Sequence, residues 1–195
     1  MKTITFAAAT LFMFSIVAST AATAETFTYS GGCFWCTEAD TENLDGVTEV
    51  ISGFTGGTTA NPRYEPGKWG DHREAAQVVY DPTIISYEEL VRHVFATIDY
   101  EDNGGQFCDR GRSYSPAIYY KNESERLIAQ RLAPKNSVVP IEPESTFYPV
   151  REEHQDFYKK QTFKYKYIAS VVGEIAASTP LKRIRRLRTK MVLWF

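Results

Sequence analysis

The stretch Gly31-Gly32-Cys33-Phe34-Trp35-Cys36 joins a predicted strand, residues 26–30, to a predicted helix, residues 37–44. Two consecutive glycines allow the backbone to turn where side chains would clash. Cys33 then lies at a helix N-terminus, where unpaired N–H groups and the helix dipole favour the thiolate by lowering its pKa. The stretch therefore predicts a reactive cysteine with Phe34 and Trp35 as an apolar wall. A buried structural cysteine or a static disulfide is the alternative.

The cysteine count supports a reactive thiol. The chain has three cysteines, Cys33, Cys36 and Cys108. Cys36 follows Cys33 by three residues, which lets the two thiols reach each other for a disulfide. One pair and one remaining cysteine point to a reactive thiol in an exported chain.

The composition predicts one globular domain with a substantial core. The chain has 195 residues, of which 43% are hydrophobic and 14% are aromatic. Residues 1–24 resemble a secretory signal peptide, because Lys2 precedes an apolar run and Ala22-Thr23-Ala24 fits the small-residue cleavage pattern. We therefore expect an exported protein, periplasmic or secreted, with its folded domain at residues 25–178. An uncleaved N-terminal anchor is the alternative.

The charge is distributed unevenly along the chain. All 24 acidic residues lie within residues 25–178, whereas the C-terminal tail, residues 179–195, has six basic residues and no acid. An acidic body of this kind is not typical of a nucleic-acid-binding protein, so no nucleic-acid partner is expected. The tail is interpreted as a solvated basic segment, with contact to acidic lipid or to the protein's own body as alternatives.

The order of the predicted elements indicates the fold class. Strands are predicted at residues 47–54, 74–80 and 116–120, and helices at residues 86–98, 123–133 and 151–160. Ser86-x-x-Glu89 forms a capping box for the second helix, and an apolar stripe follows it. Long loops at residues 55–70 and 100–115 are rich in glycine and polar residues. The prediction is an α+β fold, a two-layer sandwich with a mixed sheet and a ferredoxin-like core with long loops.

Four further residues are candidates for chemistry beside Cys33. Glu74 begins a predicted strand, whereas Tyr64, Asp109 and Tyr114 lie in the two long loops. Loops and loop edges are where functional sites concentrate. Each of these residues, taken singly, has a structural alternative: a solvated carboxylate for the acids and a packed side chain for the tyrosines. Only their convergence on Cys33 would distinguish a catalytic role from this alternative.

Five segments together resemble the A-type peptide methionine sulfoxide reductases. The Gly-Cys-Phe-Trp stretch resembles the signature of that family. The other segments occur in family order: Gly53-Phe54-Thr55-Gly56-Gly57 with Asn61-Pro62-Arg63-Tyr64, His72-Arg73-Glu74-Ala75, Asp109-Arg110-Gly111-Arg112-Ser113-Tyr114, and Glu153-His154-Gln155. The resemblance covers residues 30–160 and ends near Ile168.

The resemblance implies roles for the candidate residues. Cys33 would attack the sulfur of the S epimer of methionine sulfoxide, free or in proteins, and Glu74 would protonate the departing oxygen. Tyr64 and Tyr114 would hydrogen-bond the same oxygen, and Asp109 would support the site. Phe34 and Trp35 would enclose the S-methyl group.

The resemblance also implies how the enzyme is recycled. A sulfenic acid on Cys33 would be converted by Cys36 to a disulfide. Cys108 is the competing thiol for this step, but we interpret it as a packed thiol. Thioredoxin or a similar dithiol would then reduce the disulfide, so no cofactor beyond this external reductant is expected, and no metal. Many relatives have glycine at the position of Cys36 and recycle through cysteines near the C-terminus, whereas this chain has no cysteine after Cys108. The expected state is a monomer.

Two other classes of protein fit parts of the sequence. Cys33-x-x-Cys36 has the spacing of an exported thioredoxin-like thiol–disulfide oxidoreductase. The three cysteines with His72 would be the ligands of a zinc-stabilised binding module, although a second closely spaced ligand pair is missing.

Overall fold

The computed structural model describes residues 23–65 and 68–178, with side chains as far as residue 170. Residues 1–22 of the predicted signal peptide and the whole basic tail, residues 179–195, lie outside the described residues. Within the described part of the chain, no helix combines the length and the apolar character needed to cross a bilayer.

Six strands form one mixed sheet in the spatial order β7-β6-β1-β3-β2-β8. The strands are β1 Glu25–Ser30, β2 Val47–Thr55, β3 Arg73–Tyr80, β6 Ala117–Tyr120, β7 Ile141–Pro143 and β8 Tyr148–Pro149, and a separate small hairpin comprises β4 Gly105–Gln106 and β5 Asp109–Arg110. The helices are α1 Phe34–Thr41, α2 Tyr87–Thr97, α3 Glu123–Leu132, α4 Phe157–Lys160 and α5 Thr162–Ser178, with short 3-10 turns at Arg112–Tyr114 and Glu152–His154.

The central part of the sheet has the ferredoxin-like arrangement. In chain order β1, α1, β2, β3, α2 and β6 form the split β-α-β unit, and the strands lie in the order β6-β1-β3-β2 with antiparallel neighbours. β7 adds to one edge as a parallel strand, and β8 adds to the other as an antiparallel strand. The predicted α+β class with a mixed sheet is confirmed.

The main core lies between α2 and the sheet. The Ser86 hydroxyl accepts a hydrogen bond from the Glu89 backbone N–H, and the Glu89 carboxylate accepts one from the Ser86 N–H, so the predicted capping box is present. The apolar stripe of this helix is buried against residues of β1, β2 and β3, and it consists of Leu90, Val91, Val94, Phe95 and Ile98. The stripe is therefore core, as the 3.6-residue period predicts.

Two predicted helices differ from the structure. α1 begins at Phe34 instead of residue 37, because the Cys33 carbonyl already accepts hydrogen bonds from the backbone N–H groups of Cys36 and Thr37. The helix predicted at residues 151–160 is interrupted, because Asp156 has a left-handed backbone with φ of 53°. This change of direction lets α4 turn back onto α1, a tertiary contact that the local sequence pattern does not encode.

Candidate active site

The backbone of Gly32 packs closely against the side chain of Gln106, and this turn places Cys33 at the start of α1. Gly32 has φ of 98°, and a Cβ atom built on it would lie 2.7 Å from Cβ of Gln106. Only glycine fits this turn, because both the backbone angle and the available space exclude a side chain. Cys33 is the N-cap residue of α1 and is partly exposed.

The thiols of Cys33 and Cys36 lie close enough to interact. This interaction, followed by burial and by the negative charges of Cys36, Glu74 and Asp109, raises the pKa of Cys33 well above its ordinary value. The expectation that the helix N-terminus lowers this pKa is therefore wrong for the reduced protein. The neighbouring Cys36 thiol and burial, with smaller contributions from Glu74 and Asp109, outweigh the effect of one short helix.

Glu74 lies beneath the first turn of α1. Its carboxyl is buried, with 3% of the residue exposed, and its Oε2 accepts a hydrogen bond of 3.0 Å from the Phe34 backbone N–H. Burial, with a smaller contribution from the charge of Asp109, raises the pKa of Glu74 to about 8 against the opposing effect of that hydrogen bond. Glu74 therefore holds a proton at neutral pH, which is what a general acid requires.

A buried arginine ties the strand of Glu74 to the loop of Tyr114. Arg73 donates through Nε to Oγ of Ser115 (3.0 Å) and forms a two-pronged ion pair with Glu142 on β7. Ser115 directly follows the 3-10 turn that ends at Tyr114. Because adjacent residues of a strand point to opposite faces, Arg73 makes these contacts on the face opposite Glu74.

Asp109 and Tyr114 reach the site from the long loop after α2. Burial, followed by the charge of Glu74, raises the pKa of Tyr114, and burial raises that of Asp109. The charge of Asp109 in turn acts on both Glu74 and Cys33. The loop therefore brings a carboxyl and a phenol within electrostatic reach of Glu74 and Cys33.

An aromatic cluster surrounds the first turn of α1. Phe34 is fully buried, and its ring lies 5.5 Å from that of Tyr64, whose own ring is 5.5 Å from that of Trp35. Trp35 is partly exposed and stacks on Phe157 of α4 with ring centroids 3.9 Å apart. Burial, followed by the charge of Glu74, raises the pKa of Tyr64 to about 12. Its phenol therefore keeps its proton and remains a hydrogen-bond donor.

Polar contacts hold the C-terminal segment against α1 and β2. The Glu38 carboxylate accepts hydrogen bonds from the Ser52 hydroxyl (3.1 Å) and from the Asp156 backbone N–H (2.8 Å). The side-chain amide of Gln155 forms two hydrogen bonds with the Ser52 backbone, one to its carbonyl and one from its N–H. These contacts fix the turn that places Phe157 on Trp35.

Six of the eight predicted site residues lie in or against the first turn of α1: Cys33, Phe34, Trp35, Cys36, Tyr64 and Glu74. The other two, Asp109 and Tyr114, lie within electrostatic reach of Cys33 and Glu74. Sequence reasoning missed two supporting groups, the Arg73 network and the Glu38 contacts. It also missed His154, whose ring lies 4.3 Å from that of Tyr64. The sequence signal for His154 was the Glu153-His154-Gln155 motif, one of the five segments that resemble the family.

Cys108 is exposed, in the turn between β4 and β5, so its interpretation as a packed thiol is wrong. A turn between two short strands offers too little surface to bury it. All three cysteines are free thiols. Among residues 23–65 and 68–178, no group of three or more His, Cys, Asp or Glu residues is arranged to hold a metal ion.

Comparison with known proteins identifies relatives of this chain. It is 42% identical over 152 residues to the peptide methionine sulfoxide reductase MsrA 2 of Rhizobium meliloti, and the aligned region covers 74% of this chain and 77% of the relative. It is 41% identical over 164 residues to the MsrA of Listeria innocua, covering 78% and 92% of the two chains.

Solved structures show the same fold. Methionine sulfoxide reductase A of Corynebacterium diphtheriae superposes with a TM-score of 0.65 at 30% identity, covering 71% of this chain and 76% of that one. Mxr1 of Saccharomyces cerevisiae in its reduced form gives a TM-score of 0.62 at 24% identity, covering 71% and 86%. These neighbours do not favour the thioredoxin-like alternative.

A sequence model of one family matches most of the chain, from residue 25 to residue 182. The match continues beyond Ile168, where the quoted motifs had suggested that the resemblance ends. With these relatives and this fold, the chain belongs to the peptide methionine sulfoxide reductase family and is an oxidoreductase that reduces methionine sulfoxide.

Proposed function

We propose that Cys33 is the nucleophile that takes the oxygen from the S epimer of methionine sulfoxide. Its sulfur attacks the sulfoxide sulfur and forms a sulfur–sulfur bond; the protonated oxygen then passes to the Cys33 sulfur, so that the substrate sulfur–oxygen bond and the sulfur–sulfur bond both break, Cys33 becomes a sulfenic acid and methionine leaves. The oxygen gains a proton from Glu74, and the proton of the Cys33 thiol restores the acid. The raised pKa of Glu74, combined with its position beneath α1, is the observation that carries this proposal.

The remaining polar residues hold the substrate oxygen. The phenols of Tyr64 and Tyr114 keep their protons at neutral pH, because the pKa of each is raised by burial, and they donate hydrogen bonds to the sulfoxide oxygen. Asp109 supports the site by favouring the protonated form of Glu74, since its charge raises the pKa of that carboxyl.

The aromatic residues form the methyl pocket. Trp35 is partly exposed and supplies the face that the S-methyl group contacts. Phe34 is fully buried, and its ring lies 5.7 Å from that of Trp35, so it supports this face from behind.

Cys36 resolves the sulfenic acid. The interaction of the Cys36 thiol with that of Cys33 supports this role, and attack of Cys36 on the sulfenic sulfur forms the disulfide and releases water. An external dithiol such as thioredoxin then takes up the disulfide by exchange, which restores both thiols and leaves the reductant oxidised. We propose that this occurs outside the cytoplasm, on the support of the signal-like residues 1–24.

The nucleophile is tested by Cys33→Ser, with methionine formed from the S-sulfoxide measured in dithiothreitol. We expect no turnover in this variant and full turnover in the matched control Cys108→Ser. Retained activity in Cys33→Ser would remove Cys33 from the mechanism.

The resolving thiol is tested by Cys36→Ser in a rapid-quench experiment. We expect one equivalent of methionine per enzyme, as in the wild type, but no turnover with thioredoxin as the only reductant. A disulfide between Cys33 and Cys108 in the peptide map, with turnover lost in Cys108→Ser, would assign the role to Cys108 instead.

A further inference from the structure

An open groove of about 740 Å³ lies between α1, the segment before α4, and the start of α5. We call it the aromatic groove, and its apolar lining consists of Trp35, His154, Phe157, Phe163, Tyr167 and Ile168. Its polar lining includes one acid, Glu153, and one base, Lys164. The lining therefore favours an apolar occupant over one of either charge.

The outer side of the aromatic groove is exposed. Phe163 is 92% exposed and Tyr167 is 72% exposed, and they lie four residues apart on α5, so they share one face of the helix. Single exposed apolar residues are normal on a protein surface, but adjacent aromatic side chains that line a concave surface are typical of a binding site.

The aromatic groove is continuous with the candidate active site. Trp35 belongs to both, because it follows Cys33 by two residues and stacks on Phe157 in the groove. The inner side of α5 also lies beside the reactive thiols. Burial raises the pKa of Tyr165, and the charges of Cys36 and Cys33 contribute to the same shift.

This continuity indicates what occupies the groove. A methionine sulfoxide within a polypeptide cannot reach Cys33 alone, because the chain continues on both sides of it. An extended chain advances about 3.3 Å per residue, so residues two or three positions away lie about 7–10 Å from the reacting side chain. A chain that leaves the reaction centre on the side of Trp35 passes over the aromatic groove, because Trp35 lines both.

We propose that the aromatic groove binds an apolar or aromatic residue that lies two or three positions from an oxidised methionine in an extended polypeptide. The proposal rests on Cys33 as the reaction centre and names the substrate class: unfolded segments with apolar residues next to the methionine sulfoxide. Free methionine sulfoxide uses only the methyl pocket and gains nothing from the groove.

The test compares three substrates on the full chain. These are N-acetyl-methionine S-sulfoxide, a peptide with leucine and phenylalanine around the sulfoxide, and a peptide with serine and glycine at the same positions. Phe163→Ser with Tyr167→Ser is the test variant, and Leu127→Ser, at a residue of α3 that is 53% exposed, is the matched control. Both replace exposed side chains, and thermal unfolding checks that each remains folded.

In the wild type, we expect kcat/KM to be highest for the apolar peptide. In the double variant it should fall about tenfold for that peptide alone, which is the loss expected for roughly one buried aromatic contact. The Leu127→Ser control should match the wild type on all three substrates. The small substrate reports the proposed chemistry separately, since failure of the wild type to reduce it would overturn the proposed function.

Three results would overturn the groove proposal. Equal losses on all three substrates would show that α5 only supports the fold. Equal activity of the wild type and the double variant on all three substrates would show that the groove takes no part in substrate binding. Self-association that disappears in the double variant would assign the groove to a second copy.

Discussion

The main core and the aromatic cluster differ in what lies beside their apolar side chains. The main core joins α2 to the sheet through aliphatic and aromatic residues such as Leu90 and Phe27. The aromatic cluster is much smaller, with Phe34, Phe54 and Val150 as its buried members. It adjoins the buried carboxyl of Glu74, which receives a hydrogen bond from Phe34 itself.

This difference separates stability from chemistry. Burying apolar surface in the main core stabilises the fold, and burial only keeps its tyrosines, such as Tyr29 and Tyr80, in their neutral form by raising their pKa. Burying a carboxyl beside the aromatic cluster costs free energy when that carboxyl is ionised, and it is therefore kept protonated. A buried protonated carboxyl serves a purpose only where a proton must be transferred. We therefore expect substitutions in the main core to lower stability and substitutions beside the aromatic cluster to lower the reaction rate.

The largest expected effect is on the chemical step, in Glu74→Gln. Glutamine can donate a hydrogen bond but has no acidic proton, so we expect the single-turnover rate to fall about 10²–10⁴-fold, the usual contribution of a general acid. Substrate affinity should change little. Glu125→Gln, at another buried carboxyl, is the matched control and should keep the wild-type rate. A normal rate in Glu74→Gln would remove the proposed acid.

In the main core, Leu90→Ala should have the opposite profile. Leu90 is fully buried on α2, and truncation of such a residue costs about 2–5 kcal/mol of unfolding free energy. Urea denaturation measures this loss, and the single-turnover rate of the folded fraction should remain near that of the wild type. A loss of rate without a loss of stability would contradict the separation of the two regions.

The pH dependence sharpens the comparison. Because the pKa of Glu74 is raised to about 8, its acid form predominates at neutral pH and disappears as the pH rises through that value. The single-turnover rate should therefore fall by up to about tenfold per pH unit above 8. A pH profile in which Glu74→Gln keeps the same descending limb would assign that limb to another group.

The smallest expected effect is at the cap of α2. Ser86→Ala removes the hydroxyl that accepts the Glu89 N–H, which should cost about 1 kcal/mol of unfolding free energy. The active site should be unaffected, because the cap lies at the end of a helix that packs in the main core. Thermal unfolding measures the change, and Ser86→Asn should restore most of it, since asparagine is an equally good N-cap residue.

The sequence by itself determined the features that depend on neighbours along the chain. The capping box at Ser86, the apolar stripe of α2 and the turn before Cys33 all follow from local spacing and backbone preference. The order of the quoted motifs also predicted the eight site residues, whose roles stay predictions. Local interactions of this kind are encoded within a few residues, so they can be inferred from one sequence.

Tertiary structure alone decided the features that depend on distant residues. The pKa of Cys33 is raised, against the expectation from its helix, by the neighbouring Cys36 thiol and then by burial, and the burial comes from distant parts of the chain, as do the smaller contributions of Glu74 and Asp109. The turn at Asp156 that places Phe157 on Trp35 depends on Glu38, which is 118 residues away in sequence. Burial and electrostatic interaction depend on distance in space, and sequence spacing does not give that distance.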